Sequence, residues 1–164
     1  MMKYFFLLAL TLLANQAHAW LHLEPIVGYN RGQEQGSQLQ GIGFGARIGI
    51  DFNSIFIVAD AGYHTVQQGS INQATYNDTG LTVGGKIRNY RIWYGLISSA
   101  SYSYSSGGST TNITGTGSKV GLSTDLSDKM SLNLETRFYN FTQSNGAVIS
   151  EIGTVGFLSL SWNL

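Results

Sequence analysis

Six charged side chains have the types and spacing that could do chemistry in this sequence. Each lies near the middle of a segment in which apolar and polar residues alternate, and three are acidic while three are basic: Glu24, Arg47, Asp60, Lys119, Glu135 and Arg137. Because successive side chains of a β-strand point to opposite faces, these charges share the face opposite to the apolar residues. Such charges form either an ion-pair network or the lining of a conduction path.

The pairing of neighbouring strands favours the network. It would join Glu24 to Arg47, Arg47 to Asp60, and Lys119 to Glu135. An unpaired buried ion costs several kcal/mol, so charges inside a narrow barrel are expected in pairs. An eight-stranded barrel is just wide enough for its side chains to fill it. We therefore predict a plugged lumen with Arg47 at its centre, and a narrow gated channel lined by the same residues is the alternative.

A catalytic alternative involves the histidines. Asp60 and His64 lie four residues apart on one predicted strand and hence on the same face. Some outer-membrane enzymes modify lipid A with Ser, His and an acidic residue, and these groups must meet in space. The sequence does not single out one Ser, so we expect His64 to be a solvated or loop-bound residue of the outer rim. His22 lies near the opposite rim.

Other ligand-binding motifs are weak. The segment from Gly80 to Lys86 resembles a phosphate-binding loop, but Ile87 replaces the required Ser or Thr, and no helix follows. No His/Cys/Asp cluster has the spacing of metal ligands. Without Lys3, eight Lys and Arg oppose nine Asp and Glu, which gives no reason to expect nucleic acid. We predict no cofactor, no metal and no catalytic residue.

The elements that must hold these residues are strands. Eight segments alternate in polarity, and most have 10–13 residues: 20–30, 40–51, 55–65, 79–88, 91–104, 115–126, 129–141 and 150–164. Globular strands average ~5–6 residues, whereas a tilted membrane-crossing strand needs ~9–11. Short connections alternate with longer polar ones at 31–39, 66–78, 105–114 and 142–149. This alternation is typical of outer-membrane barrels. Pro25, which lacks an N–H, requires a bulge or a break in pairing.

One face of every segment is free of charge. In the segment 41–51, Ile42, Phe44, Ile48 and Ile50 share one face while glycines and Arg47 share the other. A charge at the middle of a bilayer costs ~2–4 kcal/mol in such barrels, so the apolar face is expected to contact lipid. In the segment 91–104 we assign five residues to that face: Ile92, Tyr94, Leu96, Tyr102 and Tyr104.

Aromatic residues gather near the segment ends, which predicts two belts at the two membrane–water interfaces. The short-turn belt consists of Trp20, Phe52, Tyr90, Trp93, Tyr94 and Trp162. The long-loop belt consists of Tyr29, Tyr63, Tyr102, Tyr104 and Phe141.

The first residues predict a cleavable signal peptide. Lys3 precedes a ten-residue apolar stretch, and Ala17-His18-Ala19 fits the A-x-A cleavage pattern. We therefore divide the chain into a signal peptide, residues 1–19, and one barrel domain, residues 20–164.

The signal peptide, the eight segments and the ending Leu158-x-Leu160-x-Trp162-x-Leu164 resemble the small eight-stranded outer-membrane barrels of the OmpA/OmpX type. The resemblance implies an all-β, antiparallel up-and-down transmembrane barrel in the cell outer membrane. Its expected partners there are outer-membrane lipid and lipopolysaccharide. It also implies that the barrel-assembly machinery reads Leu160, Trp162 and Leu164, although such chains usually end on an aromatic residue. We expect a monomer.

The function implied is structural or surface-interacting, with a filled lumen and exposed polar loops. A small porin and a lipid A-modifying enzyme are the functional alternatives. A soluble lipocalin-like barrel, which would turn the apolar face inward around a ligand, is the alternative fold.

Overall fold

The computed structural model describes residues 19–34, 37–52, 54–68, 71–106 and 109–162. They form eight antiparallel strands that pair in chain order and close into one barrel, which confirms the predicted all-β fold. The strands are β1 (Ala19–Glu34), β2 (Ser37–Phe52), β3 (Ile55–Gln68), β4 (Ile71–Ile87), β5 (Tyr90–Ser106), β6 (Ser109–Asp125), β7 (Met130–Ser144) and β8 (Ala147–Trp162). We call the end with Ala19 and Trp162 the lower end, and the opposite end the upper end. Within these ranges no helix is long and apolar enough to cross a membrane.

The alternation of the sequence sets which face each side chain takes. Phe44, Ile48 and Ile50 point outward and are about half exposed, whereas Arg47 between them is 3% exposed inside the barrel. The same division holds on the other strands, so the outer surface carries an uncharged apolar belt. The lipocalin-like alternative, with this face inside, therefore does not describe this barrel.

The strand register makes the lumen narrow. Following paired residues once around the barrel from Leu23 returns to β1 at Gln33, ten residues further along. This stagger accompanies strand tilt, and at eight strands it leaves an interior that side chains can fill. The β1–β8 pairing begins at Ile26, directly after Pro25, which agrees with the predicted break in pairing.

The long upper loops are a wrong prediction. The strands have 14–17 residues and continue through most of the polar stretches, so that only two positions separate β1 from β2, β3 from β4, β5 from β6 and β7 from β8. Ladder hydrogen bonds join backbone groups, so polar Ser, Thr, Gln and Asn side chains do not end a strand. In the β7–β8 turn, Asn145 and Gly146 have φ of 47° and 85°, as a type I′ turn requires.

A β-bulge corrects the face assigned to the upper half of β5. The register shifts between Ile97 and Ala100, where Ser98 and Ser99 are both exposed. Odd-numbered residues of β5 face the lumen below this bulge, and even-numbered residues face it above. Tyr102 is therefore 1% exposed inside the barrel, and Tyr104 packs against the same interior cluster. Their predicted places in the outer belt are wrong.

Two further belt residues also face the lumen. Trp93 shares the inward parity of Arg91 and is 2% exposed, and Phe141, just before a register shift in β7, is fully buried. The belt residues found outside are Tyr29, Tyr63, Tyr90, Tyr94 and Trp162. The side chain of Trp20, the residue Leu164 and nearly all of the predicted signal peptide lie outside the described part of the structure.

Candidate functional site in the barrel lumen

The centre of the lumen is an ion network around Glu135 of β7. Its Oε2 accepts hydrogen bonds from Arg47 Nη2 of β2 at 2.6 Å and from Trp93 Nε1 at 2.8 Å. Its Oε1 accepts from Arg137 Nε at 2.7 Å. The Arg47 guanidinium also lies 4.6 Å from the centroid of the Trp93 ring, within cation–π distance. Both carboxylate oxygens of this buried residue are therefore satisfied by charged or polar donors.

Glu24 of β1 continues the network toward the lower end. Its Oε2 lies 3.3 Å from Arg47 Nη1 and 3.1 Å from His22 Nε2. Its Oε1 accepts a hydrogen bond from Ser161, which in turn accepts from Asn133 at 2.9 Å. This chain of contacts links β7, β8, β1 and β2 around one side of the lumen.

Asp60 of β3 forms a second centre with Lys119 of β6. Its Oδ1 accepts from Lys119 Nζ, and its Oδ2 accepts from Thr82 Oγ1 at 2.6 Å. β3 and β6 do not pair in the sheet, so this ion pair crosses the lumen.

An upper polar layer gathers around Arg137. Its Nη1 donates to Asp78 Oδ2 at 2.7 Å and contacts His64 Nε2, which must act as an acceptor because the guanidinium only donates. Tyr139 donates to the same Asp78 oxygen at 2.7 Å. His64 is 1% exposed and lies edge-on to Phe157, with ring centroids 5.1 Å apart.

The structure changes the predicted pairing. Glu24 and Arg47 do form an ion pair, but Asp60 pairs with Lys119 rather than Arg47, and Glu135 pairs with two arginines rather than Lys119. The prediction fails because adjacent strands were assumed to supply partners, whereas long side chains reach across a narrow lumen to strands that do not pair.

Several residues of the network were missed. His22, Asp78, Trp93 and Tyr139 all take part, and the predicted rim position of His64 is wrong. The sequence pattern predicts a loop at Asp78. In the structure β4 begins at Ile71 and so includes Asp78, which faces the lumen on the same side of the strand as Thr82. Tyr139 follows Glu135 and Arg137 at alternate positions of one strand, so the sequence alone could have placed it on the lumen face.

Above the ions lies an apolar layer that closes the upper lumen, here called the aromatic layer. Tyr76 stacks on Tyr102 and Tyr139 with ring centroids 4.4 and 5.4 Å apart, and Tyr139 stacks on Phe141 at 5.5 Å. Around them pack buried residues from β2 to β8: Leu39, Val66, Ala74, Ile97, Ala100, Ile113 and Val155.

The lower end of the lumen is more polar. Asp125 lies 3.4 Å from Arg91 and 3.3 Å from Lys86, and His22 stacks on Phe56 with ring centroids 5.6 Å apart. Among the described residues, no group of three or more His, Cys, Asp or Glu could hold a metal ion.

Glycines create the space for these large side chains. A Cβ on Gly95 would collide with Lys119 and Thr82 Oγ1, and a Cβ on Gly121 would collide with the Trp93 ring. A Cβ on Gly43 would overlap His64 Nδ1 and Asn30 Nδ2. The glycine-rich inner faces are therefore the places against which the network packs.

Solved structures with the same architecture exist. Neisserial surface protein A superposes with a TM-score of 0.64 at 12% identity, covering 90% of this chain and 100% of that chain. Ail, the attachment invasion locus protein of Yersinia pestis, gives 0.58 at 11% identity over 88% and 99%. The N-terminal β-barrel domain of Pseudomonas aeruginosa OprF gives 0.51 at 11% identity over 87% and 97%.

The fold is that of the small eight-stranded outer-membrane barrels. The OmpA/OmpX-type architecture predicted from the sequence is thereby confirmed, and the apolar belt together with this fold agrees with the predicted outer-membrane location. No family model matches the sequence, and no curated protein matches it.

Proposed function

We propose that this chain is a non-conducting outer-membrane barrel with a structural or surface-interaction role. The observation that carries the proposal is a lumen filled at two levels, by the ion network and by the aromatic layer above it. Its expected surroundings are outer-membrane lipid and lipopolysaccharide, and the expected state is a monomer assembled by the barrel-assembly machinery.

The ion pairs brace the barrel from side to side. Arg47–Glu135 joins β2 to β7, Asp60–Lys119 joins β3 to β6, and Asp78–Arg137 joins β4 to β7. Each pair connects strands that are three places apart around the barrel. Breaking one buried pair by removing a partner costs ~3–5 kcal/mol, so opening a path between them would require several such losses together.

The aromatic layer is a second barrier against conduction. Its rings stack and are at most 2% exposed, so ions entering from the upper end meet closely packed apolar side chains above the ion network. Transferring an ion into such surroundings is costly. This supports the plugged lumen over the channel alternative.

The catalytic alternative is not favoured by the contacts of the histidines. His64 is buried against Arg137, and Asp60 is bound to Lys119, so the suggested Asp60–His64 pair is not formed. His22 and Ser161 bind opposite oxygens of Glu24 rather than each other, which leaves no hydroxyl activated by a histidine there.

The upper outer surface supports a contact role that is based mainly on hydrogen bonds. Beyond the belt, many outward side chains carry hydroxyls and amides, as in the Ser103–Asn112 bond at 2.6 Å between β5 and β6, although Val148 and Ile152 are also exposed there. One structure of Ail contains the heparin analogue sucrose octasulfate. Here Arg31 is the one exposed basic side chain at the upper end of the described ranges, so we expect hydrogen bonds and this single charge to make contacts, rather than a basic patch that holds an extended polyanion.

The test combines location with leakage. The protein is expected in the outer-membrane fraction and, when folded, to migrate differently on a gel before and after boiling. Liposomes containing the folded protein are expected to retain small ions and sugars as well as empty liposomes do. A soluble protein without heat-dependent mobility would overturn the barrel, and solute-selective leakage would overturn the sealed lumen.

A further inference from the structure

A shallow groove of about 290 Å³ lies on the outside of the barrel, across β1, β2 and β3 near the upper end. Tyr29, Ile42 and Thr65 line it, with Gln40 and Gln67 above them. Tyr29 and Ile42 are about half exposed, so the groove has both aromatic and aliphatic surface available to a ligand. Tyr29 donates to Gln40 Oε1 at 3.1 Å, which orients the amide and leaves its N–H groups as donors.

The register across these three strands places side chains in rows of rising polarity. The lowest row is apolar, the middle row is mixed and the highest row is polar: Val27–Phe44–Tyr63, Tyr29–Ile42–Thr65 and Arg31–Gln40–Gln67. The groove therefore spans the boundary at which the apolar belt gives way to hydrogen-bonding groups. A ligand that fits it has hydrocarbon at one end and hydrogen-bonding oxygens at the other.

Arg31 gives this boundary a positive charge. It pairs with Gln40 in the sheet on one side and with Gly156 on the other, and Gly156 places no side chain beside it. Arg31 is exposed and has no ion-pair partner within the described part of the chain. The carboxylates of the ion network are enclosed in the lumen, on the opposite face of the sheet. An isolated guanidinium above an apolar groove suits a phosphate, which it can bind with two parallel hydrogen bonds.

We propose that this groove binds one molecule of lipopolysaccharide. An acyl chain lies against Ile42 and Phe44, a sugar lies at Thr65 and Gln67, and a phosphate binds Arg31. The inference rests on the proposed outer-membrane location, and it names a specific lipid contact of that barrel. Lipopolysaccharide is preferred to a phospholipid because the highest row offers two amides, Gln40 and Gln67, beside the cation, which match sugar hydroxyls next to a phosphate.

The test compares lipid A binding to the folded barrel and to two arginine variants. Arg31→Gln removes the charge at the groove, and Arg88→Gln removes an exposed arginine in the β4–β5 turn at the lower end. Binding of fluorescent lipid A to each protein is measured in nonionic detergent, alongside dephosphorylated lipid A and phosphatidylglycerol. Heat-dependent gel mobility shows that each variant is folded.

We expect Arg31→Gln to bind lipid A about tenfold more weakly, as loss of a charged hydrogen bond predicts, and Arg88→Gln to bind as the unaltered chain does. Dephosphorylated lipid A should bind the unaltered chain as weakly as lipid A binds Arg31→Gln. Equal affinity of Arg31→Gln and the unaltered chain, or equal binding of phosphatidylglycerol, would overturn the groove. A chain that never folds into a heat-modifiable barrel would instead overturn the proposed function.

Discussion

Arg47 and Glu135 lie on strands that do not pair, yet their side chains meet at 2.6 Å across the lumen. Glu135 is 1% exposed and also binds Arg137 and the Trp93 indole, so one carboxylate connects three strands. This contact is the clearest sign that the interior charges serve to hold the barrel closed.

Removing this carboxylate should strongly destabilise the barrel. Glu135→Ala leaves two buried guanidinium groups short of a partner, and we expect the free energy of unfolding to fall by ~3–5 kcal/mol. Urea titration in lipid vesicles measures the change. Asp128→Asn, in an exposed turn, is the matched control and should have almost no effect. A loss as small as that of the control would show that the network contributes little.

The Tyr139–Asp78 hydrogen bond can be removed without opening a cavity. Tyr139→Phe deletes only the hydroxyl that binds a buried carboxylate at 2.7 Å, so stability should fall by ~1.5–3 kcal/mol. Tyr94→Phe makes the same chemical change on the outer surface, where the ring is 56% exposed, and should be neutral. The same urea titration compares the two, and similar values would contradict an inward, carboxylate-bound Tyr139.

The apolar belt predicts a depth-dependent cost for a new charge. Ile48→Lys places a cation among outward apolar residues near the middle of β2 and should cost ~2–4 kcal/mol in a bilayer. Val148→Lys places it near the upper end, where the residue is 88% exposed, and should cost only ~0–1 kcal/mol. Folding yield into vesicles reports the difference. A tolerated Ile48→Lys would mean that this face does not contact lipid.

Gly95 tests how tightly the lumen is packed. In Gly95→Ala the new methyl group would collide with Lys119 and Thr82, both of which bind Asp60, and overpacking of this kind costs ~1–3 kcal/mol. In Gly85→Ala the new group meets only Ser54 O, at 3.6 Å, so the effect should be small. Equal thermal midpoints of the two variants would indicate a lumen with room to spare.

Much of the fold could be predicted because the side-chain period of a strand is two and the lipid-facing side tolerates no charge. Ile42, Phe44 and Ile48 alternate with Gly43, Gly45 and Arg47, and the structure keeps that division. The inward face of Tyr102 depends on a bulge near Ser98, which adds one residue without any marked change in composition. Phe141, in contrast, lies before the bulge of its strand and shares the inward parity of Glu135 and Arg137.

The candidate site was harder to predict than the fold. Its positions followed from parity, but its pairs depend on which long side chains can reach each other across the lumen. Lys119 reaches Asp60 on a strand three places away, and no feature of the sequence gives that distance. The polar upper ends of the strands also resembled loops, which concealed Asp78 as the partner of Arg137.

Single-channel recording in a planar lipid bilayer tests the sealed lumen most directly. Heat-dependent gel mobility first shows that the protein is folded. The inserted protein should then give no discrete conductance steps at either voltage polarity or in any common salt. Regular steps from the unaltered chain, with a size or ion selectivity that changes in Arg47→Ala, would contradict the account and show that the network lines a pore.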